Sequence, residues 1–147
     1  MKDRALGRKA KEFLCEIQKM DRMIQRLCDT AATLRTHLTG QCYGHKPDKV
    51  QGTAPGDTIA ATMAKIIDLE REIDQHIDAL VKRKREAIHL ISQLPDYNQQ
   101  NVLMARYVQG MPWEEIAREL DREIRWVYRV HGKGLAAFAS VNVSKSQ

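Results

Sequence analysis

Four side chains suited to nucleic-acid contact recur at helical spacing near the C-terminal end of the chain: Arg125, Tyr128, Arg129 and Lys133. Steps of three and four residues place side chains on one face of a helix. Arginine and lysine bind phosphates, and arginine also reads base edges in the DNA grooves. Arg122, just before this segment, adds a further phosphate-binding group. The pattern therefore predicts a basic helix face suited to duplex DNA.

Two short amphipathic segments must position this face. The first is residues 113–120, and the second begins at Ile124 after a three-residue break. Two helices joined by so short a turn have the layout of a helix-turn-helix, whose second helix enters the major groove. The apolar residues expected to face the core are Ile116, Ala117, Leu120, Val127, Val130, Leu135 and Phe138.

The residues before this pair predict one more helix. Pro95 ends the preceding helix, because proline disfavours helical backbone at the residue before it. Apolar spacing then predicts a helix over about residues 98–109, and Gly110 is expected to close it in a left-handed conformation. Pro112 lies near the start of the next helix, followed by acidic residues that suit a helix N-terminus.

These elements form one continuous motif string between positions 94 and 138. Its residues are Leu94-Pro95, Val102-Leu103, Arg106-Tyr107, Gly110, Trp113-Glu114-Glu115-Ile116-Ala117, Leu120, Val127-Tyr128-Arg129-Val130-His131 and Leu135. The string resembles region 4 of sigma-70-type factors, and more closely the phage-encoded regulators of the RinA/ArpU type. The resemblance implies a promoter-binding helix-turn-helix that switches on phage genes. By position, it implies DNA-facing Arg125, Tyr128 and Arg129, with Arg122 and Lys133 as phosphate contacts.

The string departs from the family pattern at three positions. The turn glycine of the family is Asp121 here, its serine or threonine cap is Glu123, and the serine before its tryptophan is Pro112. Aspartate tolerates a left-handed backbone, and glutamate suits a helix N-terminus although it caps less well than serine. We therefore expect the fold to survive, while the preferred DNA sequence stays open.

The composition favours an all-α, DNA-binding class. Only 5% of the residues are aromatic and 29% are charged, which is typical of elongated helices rather than a β-rich core. The net charge of +5 suits a polyanionic partner, although the excess is not concentrated in the C-terminal third. The cysteines Cys15, Cys28 and Cys42 form no secreted framework, and we find no signal peptide or long apolar run. Cys15 and Cys28 are expected to be small buried apolar residues beside the helix seam described below. We expect a cytoplasmic protein of a bacterial host, with no membrane partner.

The first 93 residues predict a long antiparallel coiled-coil hairpin. A heptad seam continues through the first 38 residues, and a second helix with an irregular seam covers about residues 58–93. Residues 39–57 contain four of the glycines and two prolines and are expected to form a loop. The first seam is Leu6, Ala10, Phe13, Ile17, Met20, Ile24, Leu27, Ala31, Leu34 and Leu38. The second is Ile59, Met63, Ile66, Leu69, Ile73, Ile77, Leu80, Ala87, Ile91 and Leu94.

The hairpin has two open interpretations. The stripes can simply pack against each other, or the hairpin can act as a homodimerisation arm that spaces two recognition helices. Apolar residues beside the seam widen its face and favour the dimer: Leu14, Met23, Cys28, Ile67, Ile88 and Leu90. A contact with bacterial RNA polymerase is a further prediction, because region 4 of sigma factors docks on the polymerase.

Several weaker patterns are better explained by structure than by chemistry. The basic run 82–85 points in four directions on a helix and is expected to be solvated. His37, Cys42 and His45 lack the number and spacing of a zinc site, so no metal or cofactor is expected. The glycines at 132 and 134 are expected to weaken the helix or to admit a neighbouring backbone. His131 is expected to form a hydrogen bond or a phosphate contact at the border between protein and DNA. No catalytic constellation is present, so the chain is not expected to be an enzyme.

The sequence thus predicts three regions: the helical hairpin 1–93, a helix-turn-helix domain 94–139, and a flexible tail 140–147. The leading interpretation is a sequence-specific transcription regulator, a phage or prophage gene activator acting on promoter DNA. One alternative is a phage DNA-packaging recognition subunit similar to a small terminase. The other is a helical adaptor that does not bind DNA.

Overall fold

The described part of the chain folds into helices. The computed structural model describes residues 2–43 and 55–145, with the side chains of 4–39 and 58–142. The elements are α1 (Lys2–Tyr43), α2 (Pro55–Ile91), α3 (Tyr97–Leu103), α4 (Trp113–Glu119) and α5 (Ile124–Lys145). A π-helical segment, Met104–Val108, continues α3. Every regular element among the described residues is helical, so the predicted all-α class is confirmed.

The two long helices extend further into the connecting region than the sequence predicts. The expected loop covered residues 39–57, whereas α1 continues to Tyr43 and α2 begins at Pro55. Gly40 inside α1 costs only about 1 kcal/mol relative to alanine, which a long helix tolerates. Pro55 occupies the first helical position, where the missing N–H has no intrahelical acceptor. The loop boundaries were therefore wrong by several residues at each end.

The chain divides into two compact units. The terminal unit comprises Met1–Met20 and Leu80–Gln147, and the central unit comprises Asp21–Ala79. Helices α1 and α2 contribute residues to both units.

The described residues of the central unit belong to α1 and α2. Ile24 and Ala31 of α1 and Ile66 and Ile73 of α2 are its buried apolar residues among those described. Arg35 and Glu70 form an ion pair between the two helices. Two predicted seam residues, Met63 and Ile77, are instead exposed. The buried positions of α2 recur every seven residues from Ile66, which leaves Met63 and Ile77 at the edge of the helix interface.

The terminal unit buries residues from both long helices and from α5. Ala10, Leu14 and Ile17 of α1 are buried, as are Ala87 and Ile91 of α2. The ring of Phe13 stacks on Phe138 with centroids 6.0 Å apart, and the Arg83 guanidinium lies 5.3 Å from the Phe13 centroid. Arg83 also pairs with Glu16 at 3.3 Å. These contacts attach the C-terminal part of α5 to the start of α1.

The helix continues past the predicted start of the tail at residue 140, because α5 ends at Lys145. Phe138 is completely buried and Ala139 nearly so, which ties the end of the helix to the unit. The segment 135–139 is rich in good helix formers, and the Ser140 hydroxyl donates to the carbonyl of Ala136 at 3.3 Å. No described helix combines the length and apolar character needed to cross a bilayer.

Candidate nucleic-acid interface

The predicted helix over residues 98–109 is present, with an unpredicted change of geometry. Asp96 caps the start of α3, and its carboxylate accepts from the backbone N–H of Asn98 at 2.8 Å and of Gln99 at 3.3 Å. After Leu103 the backbone widens into the π segment, where the Gln109 N–H donates to the Met104 carbonyl at 3.0 Å. Gly110 then ends the helix with φ 71°, so the predicted left-handed closure is confirmed.

Helix α4 begins immediately after this closure. Pro112 takes the N-cap position with extended backbone, and its carbonyl accepts from the N–H groups of Glu115 and Ile116, each at 3.1 Å. The first turn carries Glu114 and Glu115, which the positive end of the helix dipole favours. Ile116 and Ala117 are buried, so the predicted core-facing side of this helix is confirmed.

The turn between α4 and α5 is a Schellman motif with an aspartate at its left-handed position. Asp121 has φ 51°. Its N–H donates to the Arg118 carbonyl at 3.2 Å, and the Arg122 N–H donates to the Ala117 carbonyl at 3.0 Å. These two bonds satisfy the carbonyls that α4 leaves unpaired at its end. The expectation that Asp121 would tolerate this backbone in place of glycine is confirmed.

Helix α5 buries one face against this pair. Val127 is completely buried with Val102, Ile116 and Ala117, and Val130 packs against the same cluster. Further along, Phe138 is buried and Leu135 is half-buried. The predicted apolar face of α5 is therefore the face that packs on the rest of the unit.

The opposite face of α5 presents the predicted DNA-binding side chains. Arg125, Tyr128, Arg129 and Lys133 are all exposed. At 100° per residue they cover roughly 140° of the helix surface, centred opposite Val127. The Tyr128 ring lies edge-on to Trp113 with centroids 5.2 Å apart, and the residue is 47% exposed. The structure thus brings these four residues together on one solvent-facing surface, which we call the basic face.

Arg122 is placed beside the basic face rather than on it. It lies in the turn before α5, and its guanidinium is 4.8 Å from the centroid of the Trp126 ring. This cation–π contact orients the arginine while leaving it exposed. Acidic side chains are missing from Ile124 to Lys145, so α5 itself contributes no negative charge.

A cluster of aromatic and basic side chains packs beside the basic face and contacts Tyr128 through Trp113. The sequence analysis did not identify this cluster. The Arg106 guanidinium lies 4.3 Å from the Trp113 centroid and donates to the Met111 carbonyl at 3.1 Å. His131 meets Trp113 edge-on at 4.7 Å between centroids, and its Nε2 is hydrogen-bonded to the Tyr107 hydroxyl at 2.7 Å. The only sequence signal was the presence of Arg106-Tyr107 and His131 in the motif string.

Burial shifts the pKa values of two members of this cluster, His131 and Tyr107. It lowers the pKa of His131 to about 4, with the positive charges of Lys11 and Arg106 adding to the effect. Burial also raises the pKa of Tyr107 to about 12, and the nearby Cys15 contributes. His131 is therefore neutral at pH 7 and offers no positive charge to a phosphate. Its hydrogen bond is made inside the protein, to Tyr107, and not at the DNA border where the sequence predicts one.

The two glycines of α5 differ in their surroundings. A Cβ atom on Gly134 would lie 3.3 Å from Cγ and 3.4 Å from Cδ1 of Leu103, and 3.5 Å from Cβ of Gln99. A Cβ on Gly132 would meet nothing within 4 Å. Gly134 therefore permits the close approach of α3, as one interpretation of the sequence proposed. The neighbour is a side chain rather than the backbone that we expected.

Two weaker expectations concern cysteines. Cys15 is half-buried, but Cys28, expected to be buried beside the seam, is exposed. The side chains of Cys42 and His45, which entered the comparison with zinc sites, lie outside the described residues.

Comparison of the chain with protein-family models, with curated proteins and with solved structures found no match.

Proposed function

We propose that α4 and α5 act as a helix-turn-helix and that the chain is a sequence-specific DNA-binding transcription regulator. The observation that carries the proposal is the basic face of α5, which is exposed along its length while the opposite face is buried in the unit. A recognition helix needs this division, because one face must enter the major groove while the other holds the helix in place.

The side-chain types on the basic face support both parts of DNA recognition. Arg125 and Arg129 can form bidentate hydrogen bonds with guanine, which specify sequence. Lys133 and Arg122, at the two ends, are suited to phosphates, which fix the position of the protein on the duplex. The Trp113 ring holds Tyr128 between these groups.

The α1–α2 region has a proposed role as an antiparallel coiled-coil hairpin that serves as a dimerisation or polymerase-docking arm. The ion pair between Arg35 and Glu70 and the buried residues Ile66 and Ile73 support the pairing of the two helices. The cellular setting we propose is a bacterial host in which the protein activates phage or prophage genes. That setting rests on the sequence resemblance to RinA/ArpU-type regulators.

The test is selection of bound duplexes from a random DNA library at two salt concentrations, followed by sequencing. An enriched motif is the expected result, and two spaced copies of it would indicate a dimer. Retention of duplexes without any enriched motif would favour a DNA-packaging subunit, especially if the protein forms rings. No binding at either salt concentration would refute the proposal and leave the helical adaptor.

Variants on the basic face make this test specific. Arg129→Ala is expected to weaken binding to the selected site by about 1–3 kcal/mol and to relax the motif at one position. Lys133→Ala is expected to lower the salt slope by about 0.9 without changing the motif. Arg8→Ala is the matched control, because it removes the same charge from an exposed arginine on α1. An equal loss in Arg129→Ala and Arg8→Ala would mean that only net charge attracts the DNA.

A further inference from the structure

The central unit exposes large apolar side chains along one line of α2. Met63 and Ile67 are each 44% exposed and Ile77 is 39% exposed. Together with Glu70 and Asp74 they follow steps of four and three residues, so all five lie within about 80° of one another around the helix. We call this line the α2 ridge. Met63 and Ile77 were expected in the intramolecular seam, so their exposure leaves apolar surface without a partner in the described part of the chain.

A groove of about 390 Å³ borders the ridge. Its floor on α1 is made of small side chains, Cys28, Ala31 and Ala32, and its other wall is Ile73 of α2. Arg35, Glu70 and Asp74 also line it. Since Glu70 and Asp74 belong to both the ridge and the groove lining, the two features lie side by side on the central unit.

A ridge next to a groove is self-complementary under a two-fold axis. Rotating a second copy by 180° places its ridge in the first groove and the first ridge in its groove, which is the geometry of an isologous dimer. A cavity of about 150 Å³ holds a benzene molecule, so this groove has room for aliphatic side chains of a second α2. A two-fold axis that passes between Glu70 and Asp74 brings Ile67 of one copy to the same height along the helices as Ile77 of the other copy.

The charges around the groove favour the same partner. The groove carries one cation, Arg35, and two carboxylates, Glu70 and Asp74. The rotation that exchanges ridge and groove also brings Glu70 of one copy towards Asp74 of the other. Arg35, which pairs with Glu70 within each copy, then lies between these two carboxylates and approaches Asp74 of the other copy. A second copy therefore meets both the apolar and the charged parts of the surface.

We infer that this face of the central unit binds a second copy of the chain, with the two α2 helices antiparallel and each α2 ridge inserted in the groove of the other copy. The inference makes the dimerisation arm of the proposed function specific. It is tested without DNA, so a failure of DNA binding and a failure of dimerisation remain distinguishable.

The test is sedimentation equilibrium of the full chain from low to high micromolar concentration. The expected mass rises to twice the 16.9 kDa of one chain. Ile67→Glu is expected to weaken the dimer by about thirtyfold or more, because both copies lose buried apolar surface and gain a carboxylate beside Glu70 and Asp74. A chain that stays monomeric would overturn the inference and leave the face for a different protein. Species larger than a dimer would overturn the two-fold arrangement.

Met23→Glu is the matched control. Met23 is one of the residues whose apolar character suggested a wider dimer face in the sequence. It is 51% exposed on α1 in the same unit and lies about 130° around the helix from the middle of the α1 residues that line the groove. The variant adds the same charge to a comparable site and is expected to dimerise like the unchanged chain. Equal weakening by Ile67→Glu and Met23→Glu would contradict the assignment of the face. Circular dichroism checks that both variants keep their helical content.

A disulfide test measures the contact directly. Cys28 lies in the groove and is exposed, so Ile67→Cys is expected to give an intermolecular disulfide between position 67 of one copy and Cys28 of the other under mild oxidation. Adding Cys28→Ser is expected to abolish this link. A link that persists in the double variant, or none in Ile67→Cys, would refute the arrangement.

Discussion

Substitutions at the two glycines of α5 test whether α5, which carries the basic face, packs closely on α3. Gly132 and Gly134 lie two residues apart inside the same helix, so alanine at either site gains the same intrinsic helix propensity of about 0.5–1 kcal/mol. Only the tertiary surroundings differ. Gly132→Ala meets open space and is expected to raise the free energy of unfolding by that full amount.

Gly134→Ala meets the side chain of Leu103. The added methyl would lie 3.3 Å from Cγ, shorter than the roughly 3.5–4.0 Å optimum for carbon atoms, and Leu103 is completely buried. In a densely packed interior such overpacking costs about 1–3 kcal/mol, which cancels or exceeds the propensity gain. We therefore expect Gly134→Ala to be less stable than Gly132→Ala by about 1–3 kcal/mol.

The assay is urea unfolding followed by tryptophan fluorescence. Both tryptophans, Trp113 and Trp126, pack against the α4–α5 core, so the signal reports on this region. A double-mutant cycle with Leu103→Ala adds the mechanism: removing the Leu103 side chain should cost about 1 kcal/mol less when residue 134 is already alanine. Equal stability of the two alanine variants, with no coupling to Leu103, would refute the assignment of Gly134 to the α3 contact.

Three further predictions concern the same unit. Because the pKa of His131 is about 4 in the folded chain against an ordinary value of 6.5, the unfolded chain takes up a proton first as the pH falls between these values. The folded chain should therefore lose about 1–3 kcal/mol of stability between pH 7 and pH 4, allowing for solvent screening of a half-buried ring. His131→Gln should remove this loss in urea titrations across the range, and parallel pH profiles for both chains would contradict the cause given. At the interhelical turn, Asp121→Gly should stabilise the chain by up to about 1 kcal/mol, because glycine adopts φ 51° without strain. Asp96→Ala should destabilise it by about 0.5–2 kcal/mol, because the α3 cap is lost. Thermal unfolding compares the two aspartate variants, and a shift of the same sign in both would show that net charge rather than backbone geometry is responsible.

Local signals in the sequence were sufficient for several elements. The left-handed residues Gly110 and Asp121, the helix boundary at Pro112 and the buried residues Ile116 and Val127 were all predicted. Each of these features depends on backbone sterics or on the spacing of apolar residues within a few turns. Both properties can be read directly from the amino-acid sequence. The grouping of the basic face followed from the same periodicity, whereas its binding to DNA stays a prediction.

Other features depended on contacts between distant segments. The helical state of residues 140–145 follows from Phe138 packing on Phe13, more than a hundred residues earlier. The approach of Leu103 to Gly134 arises only when α3 and α5 meet. The lowered pKa of His131 likewise depends on burial by other elements and on the charge of Lys11, 120 residues earlier. Heptad spacing cannot decide which apolar side chains of α2 face α1, because Met63 and Ile77 fit the seam pattern as well as Ile66 and Ile73 do. The sequence by itself determined the helices and the composition of their faces. Only the tertiary structure decided which faces are covered, because burial depends on the neighbours that each helix meets.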